Sequence, residues 1–120
     1  MTVLSAHQPN FLPWAGYFLK IVQSDIFVFS DDVQYSKQQL INRANFKSSL
    51  GNKIHLVLPV SKTNDNRIID KSISRNDLRV FQKGINKLKV SYRDCDYYLE
   101  MEPLIEFVEG SVQEIEKLSD

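Results

Sequence analysis

Residues 2 to 6 form a short apolar run that breaks at the polar cluster His7-Gln8-Pro9-Asn10, a pattern that predicts a buried strand delivering those side chains to its carboxyl end. Trp14, Tyr17, Phe18, Ile21 and Val22 then recur at helical spacing. Pro13 suits the first turn of that helix, where its missing N–H costs nothing, and the helix should end near Gln23-Ser24. Ile26-Phe27-Val28-Phe29 is β-branched and aromatic, apolar on both faces and too short for a helix, as in a central strand closed by Asp31-Asp32. Strand, helix and strand within about thirty residues make a βαβ unit, whose right-handed crossover sets its two strands parallel.

Residues 33 to 52 are rich in amides and cations and carry the turn signal Gly51-Asn52, which reads as a functional loop containing a helical turn. Ile54 to Val60 is a further strand, with Pro59 marking its end or an unpaired edge. Lys62 to Arg67 is a polar connection. Ile69, Lys71 and Ile73 alternate with Asp70 and Ser72, which predicts a short edge strand with one wet face. Asn76 or Asp77 can cap a helix beginning near Leu78, with Phe81, Ile85, Leu88 and Tyr92 as its apolar stripe and Gly84 weakening it slightly. A last amphipathic helix is expected from Pro103 to Leu118, with Leu104, Val108, Val112 and Ile115 inward. The expectation is one α/β domain over residues 1–120: a three-layer, Rossmann-like fold with a mainly parallel sheet starting from the βαβ unit.

Charge narrows the range of partners. Fifteen basic and fifteen acidic residues cancel, so no global field draws the chain onto nucleic acid or an anionic membrane, and any anion site must be local. The 42% hydrophobic and 25% charged composition is that of an ordered protein. One cysteine, Cys95, excludes an internal disulfide and fits a reducing cytoplasm. Its neighbours Asp94 and Asp96 oppose thiolate formation, so Cys95 is read as structural. Residues 1 to 6 lack the features of a signal peptide, and no segment approaches the ~18 apolar residues of a membrane span.

The polar segments are the candidate chemistry. Ligands of open α/β sheets bind outside the carboxyl ends of parallel strands, which groups His7, Gln8 and Asn10 with Asp31, Asp32 and Gln34. His7 leads, because a histidine exchanges a proton near neutral pH and also donates to phosphate or carboxylate; the plainer alternative is a histidine that caps the loop through a backbone hydrogen bond. Asp31 and Asp32 can bind a divalent cation, orient a ribose or position an amine, or cap a turn. Asn42-Arg43-Ala44-Asn45-Phe46-Lys47 joins a guanidinium, two amides and an ammonium, a set suited to an anionic group. Phe11 and Trp14 are the aromatics placed to stack on a ligand. His55 lies in an apolar strand pattern and is read as structural. No Gly-rich phosphate loop, Walker motif or zinc spacing of Cys and His is present; no metal site is assigned and no cofactor is named.

Four stretches together resemble the WbqC-like proteins: His7 to Phe18, then Ser24 to Val28 with Asp31-Asp32-Val33-Gln34-Tyr35, then Asn42-Arg43, then Leu58-Pro59-Val60. Bacterial members of that family are commonly encoded among genes for O-antigen and other surface polysaccharides. The resemblance therefore implies a group transferase acting on a sugar or amino-sugar intermediate of surface polysaccharide biosynthesis. In that reading His7, Asp31 and Asp32 are catalytic, and Gln8, Asn10, Phe11, Trp14, Gln34, Asn42, Arg43, Asn45 and Lys47 hold an anionic or sugar ligand. Relatives usually continue past residue 120, so a second copy in a homodimer or a separate C-terminal half is a candidate partner. The alternative is a non-catalytic small-molecule-binding or complex-forming module.

Overall fold

A computed structural model describes residues 1–62 and 66–118; part of the Lys62–Arg67 connection lies outside the described residues. The apolar run near the N-terminus forms strand β1 (Leu4–His7), followed by helix α1 (Ala15–Val22) and strand β2 (Ile26–Phe29). The two strands pair in parallel, Leu4 opposite Ile26 through His7 opposite Phe29, so the predicted βαβ unit is present. Helix α1 starts later than predicted, with Trp14 as its N-cap and Pro13 outside the first turn. It buries Tyr17, whose ring meets Phe27 at 5.8 Å between centroids, and Lys20 Nζ ties it to β1 by donating to the Ala6 carbonyl at 2.7 Å.

The parallel sheet stops at two strands. The next extended segments, β3 (Arg43–Lys47) and β4 (Lys53–Val57), pair with each other in antiparallel register as a separate hairpin. The three-layer, mainly parallel Rossmann-like sheet expected from the sequence is therefore overturned: there are two two-stranded sheets and three helices among the described residues. The physical reason is local closure. A five-residue connection brings β3 and β4 together at low entropic cost, whereas adding them in parallel to the β1–β2 sheet would need a long crossover. Gly51, with φ at +84°, makes the turn, and the Ser48 hydroxyl accepts from the Asn52 N–H at 2.9 Å. The Cα radius of gyration, 15.6 Å, exceeds the about 14 Å typical of a compact 120-residue domain, consistent with a sheet left uncovered on one face. Leu4, Ile26 and Val28 on that face are exposed.

The core lies at the other end, where helix α2 (Leu78–Tyr92) packs on β4. Leu56, Leu58, Ile73, Phe81, Ile85 and Val112 form its buried cluster. Phe81, Ile85 and Leu88 of the predicted stripe are buried. Gly84 has a role the sequence pattern did not reveal: a Cβ there would sit 2.9 Å from Leu56 Cδ1 and 3.2 Å from the His55 carbonyl oxygen. The bare helix face lets α2 approach the backbone of β4. Gly84→Ala, favourable by about 1 kcal/mol for an unpacked helix, should instead lower stability by about 1–2 kcal/mol in urea unfolding, because the strand backbone must retreat. An unchanged or raised midpoint removes the close-approach argument.

Two further elements differ from expectation. Residues 69 to 73 do not form an edge strand: Ile68–Asp70 is a 3-10 turn, and Ser72 and Ile73 make isolated bridges to Lys117 and Val60. The turn is fixed by Ile68 and Ile69 N–H groups donating to the Val33 and Asp31 carbonyls at 3.0 and 2.8 Å, which bends the chain and buries Ile68, Lys71 and Ile73. The last helix, α3 (Tyr98–Glu114), begins one turn before Pro103, which lies inside it, and ends four residues before Leu118. Its end is set by Arg75, whose guanidinium donates to the carbonyls of Val112, Gln113 and Ile115. Helix α3 leans on α2 through Lys89 Nζ, 2.5 Å from Glu109 Oε2, with Gln82 donating to the same carboxylate.

That pair predicts a pH dependence. The Lys89 hydrogen bond, with that of Gln82, lowers the Glu109 pKa, and the Glu109 hydrogen bond raises that of Lys89. The carboxylate's contribution is thus complete above the ordinary glutamate range and lost as pH falls through the depressed folded value. The ammonium's contribution is complete below the ordinary lysine range and lost as pH rises through the elevated one. Both side chains are a quarter to a third exposed, so Lys89→Met should cost about 0.5 kcal/mol at neutral pH. The cost should vanish in strong acid, as read by urea midpoints across pH.

Candidate functional site

The parallel pairing of β1 and β2 sends His7 and Phe29 to the same end of the sheet, where the chain turns away on both sides. A cleft of about 860 Å³ opens there, lined by Ala6, His7, Gln8, Ser30 and residues 33 to 39. Its chemistry is amide and hydroxyl: Gln8, Gln34, Gln38 and Gln39 with Ser30, Ser36 and Tyr35. Lys37 and His7 are its basic groups, and among the described residues no carboxylate lines it. Tyr35 is held protonated by burial, which raises its pKa against an opposing effect of Arg43, so its hydroxyl is a donor at neutral pH.

His7 is fixed from three sides. Nδ1 lies 2.9 Å from the Gln8 carbonyl oxygen, and because a carbonyl only accepts, Nδ1 carries the proton. The same carbonyl accepts from the Tyr17 hydroxyl at 2.9 Å, occupying its second lone pair. The ring then meets Tyr17 and Trp14 edge-on, with centroids 4.9 and 5.7 Å away. The backbone hydrogen bond expected of a loop-capping histidine is therefore present, and it leaves Nε2 as the nitrogen available to a ligand. Gln8 Nε2 donates to Gln39 Oε1 at 2.6 Å, joining the two walls of the cleft.

The sequence-selected residues divide into groups. His7, Gln8 and Gln34 share the cleft. Asp31 and Asp32 do not line it; Asp31 is half-buried, its carbonyl engaged by Ile69, and Asp32 is exposed. Trp14 buttresses the imidazole. Phe11 turns to the core, its ring 6.3 Å from that of Phe81. Arg43 stands behind the 33–40 segment, Nη2 donating to the Lys37 carbonyl at 2.8 Å and so supporting the cleft wall. Asn42 is buried, and its amide donates to the Leu58 carbonyl at 2.7 Å, bracing the hairpin. Asn45 pairs across the hairpin with His55 Nδ1 at 2.7 Å, and Lys47 ends β3 next to the turn. Two buried polar side-chain atoms lack a partner among the described residues, Asn10 Oδ1 and Arg43 Nε, both in residues chosen from the sequence.

The cleft wall from Tyr35 to Gln39 falls within the 33–52 segment read as a functional loop, though none of its five residues is assigned a role there. Its signal was there, since Tyr35-Ser36-Lys37-Gln38-Gln39 is an unbroken polar stretch just after a strand, but the Arg43 cluster drew the assignment further along the chain. No group of His, Cys, Asp and Glu suited to a metal ion occurs among the described residues. Nor is any helix there long and apolar enough to cross a membrane.

Comparison with known proteins agrees with the resemblance. A 44-residue stretch, 37% of this chain, is 46% identical to an uncharacterized protein of Mycobacterium tuberculosis, and the match spans 19% of that protein's length. No solved structure matches the chain. The sequence profile of the WbqC-like protein family matches residues 8–120, and the chain belongs to that family.

Proposed function

We propose that the chain binds a sugar or amino sugar in the His7 cleft and takes part in group transfer to that intermediate during surface polysaccharide assembly of the O-antigen type. The observation that carries this reading is the lining: side-chain amides and hydroxyls, which donate and accept, suit a ring of hydroxyl groups. Lys37 at the rim suits a phosphate or carboxylate attached to the sugar. His7, with Nδ1 committed to the Gln8 carbonyl, offers Nε2 as base to an acceptor hydroxyl or amine.

A second reading, a non-catalytic sugar-binding module, is favoured by the position of Asp31 and Asp32 outside the cleft lining. Both readings require the cleft to hold a sugar. Saturation-transfer NMR with glucosamine, N-acetylglucosamine and their 1-phosphates should show binding, and Gln34→Ala should weaken it about tenfold by removing one or two hydrogen bonds. Absence of any transfer, or indifference to Gln34→Ala, overturns the assignment of the cleft.

A further inference from the structure

A second cavity, on the opposite side of the Phe11–Trp14 segment, is unlike the first in every chemical respect. It measures about 520 Å³ and is walled by α2, α3, the inner face of the hairpin and the stretch from Leu12 to Phe18. Ile85, Leu88, Met101 and Ile105 are representative of its lining, and Asp96 is the one charged residue among the described lining residues. The cavity opens to solvent at the α2–α3 connection, where Cys95, Asp96 and Tyr97 are exposed, and along Phe18, Met101 and Leu104, each about half exposed. Leu12 and Tyr97, the two non-glycine residues with φ in the left-handed region among the described residues (+43° and +65°), both line it. Backbone strain of that kind tends to gather where a chain is shaped around a ligand.

We propose that this cavity is a binding site for a single unbranched or isoprenoid hydrocarbon chain ending in a neutral or cationic head group. Size fits one chain-shaped small molecule laid along the groove. The volume also falls within the roughly 300–1,000 Å³ of small-molecule pockets. An apolar lining of this kind offers water few hydrogen-bond partners and favours hydrocarbon. Charge sets the head group. Asp96 at the mouth repels a carboxylate or phosphate and attracts an ammonium, while the Tyr97 and Tyr98 hydroxyls at the same rim accommodate a neutral hydroxyl. This site is distinct from the His7 cleft, and among the described residues the two linings share none.

The test uses the intact chain with 1-nonanol, decyltrimethylammonium and decanoate, each below its aggregation threshold, followed by calorimetry and by the rate at which N-ethylmaleimide labels Cys95. The proposal expects saturable binding of one equivalent of 1-nonanol and at least tenfold slower labelling of Cys95 when it is bound. Decyltrimethylammonium should bind more tightly than decanoate, and Asp96→Asn should narrow that gap about fivefold. Leu104→Trp, which places a large ring in the cavity from a half-exposed helix position, should abolish nonanol binding while helical circular dichroism is kept. If Leu104→Trp does not fold, the Asp96→Asn result decides. Non-saturable binding, a preference for decanoate, or no response to Asp96→Asn overturns the proposal. So does a dimer, seen by light scattering, in which Cys95 is already shielded without ligand, because a second copy then occupies the mouth.

Discussion

Phe81→Ala is expected to lower the unfolding free energy by about 3–5 kcal/mol, enough to consume most of the ~5–15 kcal/mol that holds a domain together. Phe81 is 1% exposed and sits among Leu56, Leu58 and Ile85, so truncation leaves a void that a helix pinned against β4 by Gly84 cannot collapse to fill. The effect should also reach the cleft. Phe11 rests edge-on against Phe81, and its N–H donates to the Ile41 carbonyl at 2.9 Å, so the segment leading from His7 is anchored through that ring. Phe81→Leu keeps most of the volume and should cost less than about 1.5 kcal/mol. Urea midpoints of the two variants, with sugar saturation transfer recorded on each, separate core loss from cleft loss. A Phe81→Ala shift below 1 kcal/mol would mean that the core is not organised around this ring.

The parts of the fold legible in the sequence are those set by short-range pattern. The two apolar runs around a helical stripe gave the parallel pair, and Phe81, Ile85 and Leu88 gave the buried face of α2. What was not legible depended on partners distant along the chain. In β3 only Ala44 and Phe46 point inward, alternating with Arg43, Asn45 and Lys47, so a strand half made of cations and amides resembles a loop until β4 is set beside it. The three-layer sheet failed for the same reason, because strand order is a property of pairing and not of any one segment. Gly84 read as a weak point in a helix, whereas its meaning lies in the backbone of β4 that it meets.

The site was legible to a similar depth. Of the six residues grouped by the rule that parallel strands deliver loops to one rim, His7, Gln8 and Gln34 share one cleft lining, and Asn10, Asp31 and Asp32 do not. Asp31 follows the same strand, but its carbonyl is taken by Ile69, a contact that no local pattern encodes. Arg43 supports the cleft from behind through the Lys37 carbonyl and does not line it. A charge cluster in sequence thus became a wall support in space, while the uncharged glutamines and serines before it line the cleft.

His7→Ala should reduce product formation by ~10²–10⁴-fold if the imidazole moves a proton in the transfer step. The geometry makes that role specific. With the Gln8 carbonyl accepting from both His7 Nδ1 and the Tyr17 hydroxyl, the neutral ring is locked in one tautomer and presents Nε2 as its base. Tyr17→Phe leaves Nδ1 its acceptor and keeps the ring contacts, so it should change turnover far less than His7→Ala. The measurement is mass-spectrometric detection of product from nucleotide-linked amino sugars supplied with activated acyl or glycosyl donors. Saturation transfer on the same variants reports occupancy separately. Loss of turnover with binding retained assigns His7 to proton transfer. Near-normal turnover in His7→Ala excludes that role, and sugar binding with no product from any donor in the wild-type chain leaves the cleft as a recognition site, with the imidazole serving through its bond to Gln8 to hold the loop in shape.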